Sequence, residues 1–168
     1  QKLPFKGSLA SQQEAKLRQN LFLTSSEPAR IIGKLFGIPK QKIDLAIKQF
    51  KPLEHRLERV GPPNDVAREY RGITFYNDSL ATIPEATIAA LDALGPKVHS
   101  LIAGGYDRGI SYEVLGKKIS KSNIKFLILF PTTGKKILKA IKKPVEYLTL
   151  KNMKEAVRQA LLHTPNGR

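Results

Sequence analysis

A run of short polar residues, Asn77, Asp78 and Ser79, directly follows the apolar stretch "ITFY". Thr82 comes three residues later, just before Pro84, and proline is typical of the first turn of a helix. Ligands of open α/β sheets bind beyond the carboxyl ends of the strands, so this run is a candidate binding site. The alternative is helix capping, because Asp, Ser and Thr are favoured N-caps, although capping accounts for only one or two of these residues.

A second candidate site lies in "AGGYDRG", which follows the apolar run "VHSLI". Gly104 and Gly105 allow a sharp backbone turn and a close approach to a ligand. Arg108 carries a rigid guanidinium fork, which suits a carboxylate or a phosphate. The alternative is an ordinary strand-to-helix turn in which Asp107 and Arg108 pair in solvent. Spacing alone does not decide between the two.

Two further patterns carry weaker signals. The pair His55-Arg56 could reach a phosphate or a ribose, but two exposed side chains at the start of a strand explain the pair as well. The stretch "FPTTGKK" departs from the phosphate-loop pattern G-x-x-x-x-G-K-[ST], because Leu129 and Lys136 stand where glycine and Ser or Thr are needed. The dinucleotide fingerprint G-x-G-x-x-G is also missing, which disfavours ordinary NAD binding.

The composition limits the kinds of protein that this chain can be. Its 168 residues are enough for one ordinary domain with an appendage. No apolar run approaches the ~20 residues that a membrane helix needs, so we expect no membrane partner. The cysteine count of 0 excludes disulfides and cysteine-ligated zinc. Three histidines without paired spacing leave little room for a histidine metal site.

The chain is strongly basic, with 29 Lys and Arg against 14 Asp and Glu, a net charge of +15. Such a balance favours anionic partners. Much of the excess follows Gly116 at helix-exterior spacings, where lysine usually forms a solvated face. Nucleic-acid surfaces also interleave aromatic residues with the basic ones, and the aromatics nearby lie in strand-like runs. We therefore do not expect a nucleic-acid partner, although a basic nucleic-acid-binding α/β module stays an alternative.

The elements that must position these residues follow from the hydrophobic periodicity. Amphipathic helices are predicted in "EPARIIGKLFGI", with Gly37 as C-cap, and in "PKQKIDLAIKQF", with Pro39 at its start. The stretch "AREYRGITFYND" predicts a strand at 67–70, a turn, and a second strand that pairs with the first antiparallel. Apolar strands "VHSLIAGG", "IKFLILF" and "VEYLTL" then alternate with helices. This rhythm predicts an α/β fold with a mostly parallel sheet and helices on both faces.

Three motifs together, "LEHRLERVG", "GITFYNDSLATIPEATIAALDALG" and "LIAGGYDRG", resemble the C-terminal domain of the Mur ligases. Their order and spacing agree across residues 53–115, and the combination is specific where any one motif would be weak. The resemblance implies a Rossmann-like domain at 53–168, cut before its last strand. It also implies that residues 1–52 are the helical tail of a central ATP-binding domain, with the boundary near Lys51–Leu53.

Within this family, the resemblance is to members that add D-glutamate to UDP-N-acetylmuramoyl-L-alanine in peptidoglycan synthesis in the cytoplasm. It implies an ATP-dependent ligase that forms an acyl phosphate, with Mg²⁺ stabilising the charge that develops. The UDP-sugar substrate would bind through domains that precede this chain in the family. We therefore expect the chain to be part of an active ligase and to be inactive alone.

The family's binding residues can be carried over by position. Those implied at the nucleotide are His55, Arg56, Asn77 and Asp78. Thr82 and Arg108 would hold the side-chain carboxylate of D-glutamate. No catalytic residue and no Mg²⁺ ligand is assigned to this chain.

The sequence departs from the family in two places, and other interpretations stay open. Leu80 stands where many relatives carry a lysine, and the segment 8–26 does not show the family's H-N-x-x-N pattern. The family also has a phosphate loop before this region and a Ser- and Phe-containing loop after it, so we expect a fragment. The alternatives within the superfamily are another Mur or folylpolyglutamate-type amide ligase and a non-catalytic relative.

Overall fold

The computed structural model describes residues 26–50, 53–60 and 71–167. Contacts within the chain divide it into two compact units, Gln1–Arg56 and Leu57–Arg168. The atypical segment up to residue 25 and the strand predicted at 67–70 lie outside the described residues. The domain boundary at Lys51–Leu53 stays a prediction, because Lys51 and Pro52 also lie outside them.

The described residues of the first unit form two helices, α1 at residues 26–35 and α2 at Lys40–Gln49. The α1 helix ends as predicted: Gly37 adopts a φ of +67°, and the amide of Ile38 donates to the carbonyl of Gly33 over 2.9 Å. A left-handed residue after the last turn lets the final carbonyls find donors. Both predicted helices of this region are therefore confirmed.

The two helices touch through a small residue and an ion pair. A Cβ built on Gly33 would lie 2.7 Å from Cδ1 of Ile43, so a larger residue there would require the Ile43 side chain to move. Arg30 pairs with Asp44 beside it. The apolar stripe that predicted α1 is largely exposed, with Leu35 and Phe36 each 80% accessible. Periodicity located the helix, but the stripe does not form its contact with α2.

In the part of the second unit that the structure describes, the strands form two sheets. The strands β1 (Glu58–Val60) and β2 (Phe75–Asn77) pair antiparallel, with Arg59 opposite Tyr76. The strands β3 (Ser100–Gly105), β4 (Phe126–Thr132) and β5 (Glu146–Thr149) form a parallel sheet in the order β3-β4-β5. The predicted parallel α/β sheet is confirmed.

Helices follow the strands in the predicted rhythm. They are α3 (Pro84–Leu94), α4 (Glu113–Lys121), α5 (Thr133–Ala140) and α6 (Met153–His163), with a 3₁₀ turn at Gly95–Lys97 after α3. The N-cap of α6 is Asn152, whose side chain accepts from the amides of Lys154 and Glu155. Such caps satisfy amides that lack a partner inside the helix.

The parallel sheet has helices on both faces. Leu127 and Leu129 of β4 pack in one cluster with residues of α3, α4 and α5, which are Leu91, Leu115, Ile119 and Ile137. Phe126 and Ile128 pack in another with Ala156 and Ala160 of α6. Alternate side chains of a strand leave opposite faces, so an apolar run such as β4 becomes buried on both sides. This is the layered arrangement of a Rossmann-like domain.

The helices α4 and α5 cross with their backbones nearly in contact. A Cβ on Gly116 would lie 2.4 Å from the backbone carbonyl carbon of Ala140, which leaves no room for a side chain. The Ser120 hydroxyl also accepts from the amide of Lys142, just beyond α5. The position of α5 against α4 is therefore fixed by a close backbone approach and by the Ser120 hydrogen bond, which matters for the loops at the carboxyl ends of β3 and β4.

Candidate functional site

The polar run at the end of β2 folds largely upon itself. Asn77 Oδ1 accepts from the Ser79 amide over 3.1 Å, and the Asp78 carbonyl accepts from the Ala81 amide over 2.8 Å. Asp78 Oδ1 also accepts from the Leu57 amide over 2.9 Å. Short polar side chains are suited to such local bonds. Asn77 and Asp78 therefore shape this loop.

Capping does not explain this run. The N-cap of α3 is Ile83, which has an extended backbone (φ −131°) and no side-chain cap hydrogen bond. Pro84 follows at the first helical position, as predicted. The exposed hydroxyl of Thr82 makes no hydrogen bond within the part of the chain that the structure describes. The capping interpretation is therefore wrong, and Thr82 can donate to or accept from a ligand.

Gly104 and Gly105, the last two residues of β3, serve different purposes. Gly104 has a φ of +105°, and a Cβ there would lie 2.8 Å from the carbonyl oxygen of Phe130 and 3.3 Å from the amide nitrogen of Gly134. Its small size lets β3 approach the end of β4. Gly105 has a φ of +138° and open space around its Cβ position. Of the predicted pair, Gly105 leaves open space, whereas Gly104 is required by packing within the protein.

Asp107 organises the loop that carries Arg108. Its Oδ1 accepts from the Gly109 amide over 3.0 Å, and its Oδ2 accepts from the Lys136 ammonium group. The Lys136 hydrogen bond, followed by the Gly109 amide, holds the pKa of the Asp107 carboxyl below its ordinary value of 3.8. The sequence had left open a pairing of Asp107 with Arg108. That interpretation is wrong, because Asp107 pairs with Lys136 instead.

Arg108 is exposed and uncommitted. In the described ranges its guanidinium makes no hydrogen bond or ion pair. A guanidinium offers five donors in a planar fork and stays protonated in proteins. It is therefore a ready receptor for an external carboxylate or phosphate at the carboxyl end of β3.

A second bond fastens the same loop to α5. The buried hydroxyl of Thr133 donates to the Gly105 carbonyl over 3.1 Å, and Thr132 before it has a φ of +74°. The stretch "FPTTGKK" thus contributes Thr133 and Lys136 to the support of the β3 loop. Sequence reasoning missed Lys136, because its partner lies 29 residues away and only the parallel pairing of β3 and β4 brings them together.

The remaining predicted residues, His55 and Arg56, belong to the first unit. Both are exposed, and His55 has a left-handed φ of 62°. Left-handed backbone is uncommon outside glycine and is often found at functional sites. No side-chain bond of Arg56 occurs among the residues described, so its charge can meet an anion. Leu57, the first residue of the second unit, is also left-handed, with a φ of 45°.

The described residues contain no group of three or more His, Cys, Asp and Glu side chains able to hold a metal ion. None of their helices is both long and apolar enough to cross a membrane.

Comparison with known proteins identifies similar sequences in several bacteria. The chain is 38% identical over 142 residues to the UDP-N-acetylmuramoylalanine--D-glutamate ligase of Caldanaerobacter subterraneus subsp. tengcongensis, covering 82% of this chain and 30% of that ligase. The ligase of the same name from Thermoanaerobacter sp. (strain X514) is 36% identical over 149 residues, covering 86% of this chain and 31% of that protein. The ligase of that name from Solibacter usitatus is 34% identical over 139 residues, covering 83% of this chain and 29% of that protein.

These similarities cover one part of each relative. The chain spans 30% of the length of the Caldanaerobacter ligase, although most of the chain itself is matched. No protein-family model matches it.

Proposed function

The chain belongs to the Mur ligase family, as a homologue of one segment of the UDP-N-acetylmuramoylalanine--D-glutamate ligases, and on that premise we propose that it contributes the D-glutamate-binding part of such an enzyme. The proposed reaction is ATP-dependent addition of D-glutamate to UDP-N-acetylmuramoyl-L-alanine in the cytoplasm. The chain alone is then inactive, because the UDP-sugar substrate binds to parts of the ligase outside it.

The chemistry proposed is formation of an amide through an acyl phosphate. ATP transfers its γ-phosphoryl group to the substrate carboxylate as its bond to the β–γ bridging oxygen breaks and ADP leaves, which makes phosphate the leaving group of the next step. The D-glutamate nitrogen then attacks the acyl carbon, the C–N bond forms, the bond to the phosphate oxygen breaks, and the amine loses a proton. Holding the amino acid in position is a large part of such catalysis, since orientation lowers the barrier of a two-reactant step.

Arg108 and Thr82 are the proposed amino-acid ligands in this chain. Arg108 would bind the side-chain carboxylate of D-glutamate through its guanidinium fork. Thr82 would add a hydroxyl donor from the loop before α3. The observation that carries this proposal is the uncommitted, exposed guanidinium of Arg108 on a fastened loop at the carboxyl end of a parallel strand.

The nucleotide is proposed to contact His55, Arg56, Asn77 and Asp78. The exposed guanidinium of Arg56 suits a phosphate group, and the partly exposed carboxylate of Asp78 suits ribose hydroxyls. Asp78 Oδ1 also accepts a hydrogen bond from the Leu57 amide, so the nucleotide would meet a carboxylate whose position is already fixed. Asn77 is proposed to act by shaping the loop, through its bond to Ser79.

Mg²⁺ does not fit a site made by the described residues alone, because they lack a cluster of three carboxylate or imidazole groups. We propose that the reaction uses Mg²⁺ held by other parts of the ligase and by the phosphates. No ligand of the metal is assigned to this chain.

A chimera tests the function. This chain replaces the matched segment of the Caldanaerobacter ligase, and phosphate release is followed with UDP-N-acetylmuramoyl-L-alanine, ATP and Mg²⁺. We expect release that depends on D-glutamate and is far slower with L-glutamate or other amino acids. A folded chimera, with a cooperative thermal melt, that prefers another amino acid would replace the proposed substrate. A folded chimera that gives no phosphate release with any of the amino acids tested would contradict the ligase function.

A further inference from the structure

Asp107 is the acidic residue closest to Arg108 in the sequence, and it is a potential competitor for any ligand of Arg108. A carboxylate one residue away has a high effective concentration, so even a weak internal pair would occupy the guanidinium. In the structure this carboxylate is committed elsewhere: Oδ1 accepts from Gly109 and Oδ2 from Lys136. The ammonium group of Lys136 therefore bears on the availability of Arg108.

We propose that Lys136 is a positioning residue that withholds the Asp107 carboxylate from Arg108, leaving the guanidinium for the carboxylate of the incoming amino acid. This inference rests on the proposed function of Arg108 as the D-glutamate ligand. Lys136 acts through Asp107 and does not itself touch the substrate.

The fold makes Lys136 suited to this role. It stands in the first turn of α5, which begins directly after β4, the sheet neighbour of β3. The Thr133 hydroxyl bonds the Gly105 carbonyl from the same turn, and Gly104 lies against the Phe130 backbone. These contacts hold the start of the loop, so Lys136 needs only to fix the Asp107 side chain.

The charge arrangement separates Lys136 from its neighbour Lys135. Both lie in the first turn of α5 and both are exposed, but only Lys136 pairs with Asp107. Within the described ranges Lys135 makes no ion pair, so it is a matched control for the loss of one positive charge. If general electrostatic attraction of an anion mattered, the two lysines would contribute alike.

The test follows the NMR signal of the Arg108 guanidinium directly in the 168-residue chain. The Nε–Hε resonance of Arg108 is recorded by NMR, and D-glutamate is titrated in with L-glutamate as the stereochemical control. The variants are Lys136→Ala, Lys136→Arg, Lys135→Ala and the double variant Asp107→Asn/Lys136→Ala. Asparagine retains the Oδ1 acceptor for Gly109 but removes the charge that competes for Arg108.

We expect Lys136→Ala to shift the Arg108 resonance and to weaken D-glutamate binding about three- to fivefold, the scale of an exposed ion pair. Lys136→Arg and Lys135→Ala should behave like the unaltered chain. The double variant should regain most of the affinity, because the competing carboxylate is gone. A purely structural role predicts the opposite, since the double variant has lost the same ion pair and would bind no better than Lys136→Ala.

The outcomes separate this inference from the proposed function. If the unaltered chain does not bind D-glutamate, the role of Arg108 as its ligand is contradicted. Whether Lys136 withholds the Asp107 carboxylate from Arg108 is then decided by the Arg108 Nε–Hε resonance alone. An Arg108 resonance that is the same in Lys136→Ala and in the unaltered chain overturns the inference, whichever result the ligand gives.

Discussion

The backbone amide of Leu57 donates a 2.9 Å hydrogen bond to Oδ1 of Asp78, across the β1–β2 pair. Leu57 is 1% exposed and has a left-handed φ of 45°, so its amide has a fixed direction and little access to water. A buried donor left without a partner costs free energy, so Asp78 stabilises this turn of the chain besides its proposed role at the nucleotide.

This bond predicts the effect of two substitutions at Asp78. Asp78→Ala removes the acceptor and should lower the free energy of unfolding by about 1–3 kcal/mol, while Asp78→Asn keeps an acceptor oxygen and should cost less. Urea denaturation followed by circular dichroism measures both. Ser79→Ala, an exposed neighbour, is the control and should change little. Equal stability of Asp78→Ala and Ser79→Ala would contradict this role.

The glycine pair at the end of β3 predicts a difference between two alanine substitutions. Both glycines have positive φ, so both changes add backbone strain, but only Gly104→Ala also drives a Cβ against the Phe130 carbonyl. Gly104→Ala should therefore destabilise the chain by about 1–3 kcal/mol more than Gly105→Ala, the usual scale of overpacking. Thermal melts of the two variants make the comparison. If the two midpoints coincide, the close approach at Gly104 does not limit packing.

The Asp107–Lys136 pair predicts a pH effect of definite sign. The pKa of Asp107 is lowered in the folded chain, chiefly by Lys136 and then by the Gly109 amide. Its contribution to stability is therefore complete above about pH 4, where the unfolded group is ionised, and is lost as the pH falls through the lower folded value.

NMR titration of the Asp107 carboxyl carbon measures this directly. The midpoint should lie below 3.8 in the unaltered chain and move upward in Lys136→Ala, while Lys135→Ala leaves it in place. Added salt should move it upward too, because the pair is partly exposed and screened. A midpoint that does not respond to Lys136→Ala would show that Lys136 is not its main cause.

The parts of the fold that depend on local sequence were predictable. The helix α3 begins at Pro84, as the proline predicted. The apolar run of β4 likewise predicted a strand buried on both faces. These features depend on residues that are close together in the sequence, so local interactions determine them.

Other features depend on contacts that no local pattern records. Lys136 meets Asp107 only because two parallel strands place their carboxyl ends side by side, 29 residues apart in the chain. Gly104 looked like an approach to a ligand, but it is the point where β3 meets the backbone of Phe130. The stripe through Leu35 and Phe36 predicted a helix, yet periodicity does not specify which surface covers that stripe.

The most direct test of the central claim is the KM for D-glutamate of the chimeric ligase with Arg108 unaltered, with Arg108→Gln and with Arg108→Lys. A guanidinium–carboxylate bond is worth about 1.5–3 kcal/mol, so Arg108→Gln should raise KM by about 10- to 100-fold. Arg108→Lys keeps the charge but loses the fork, and should fall between the two. A KM that is unchanged in Arg108→Gln would contradict the assignment of Arg108 as the D-glutamate ligand.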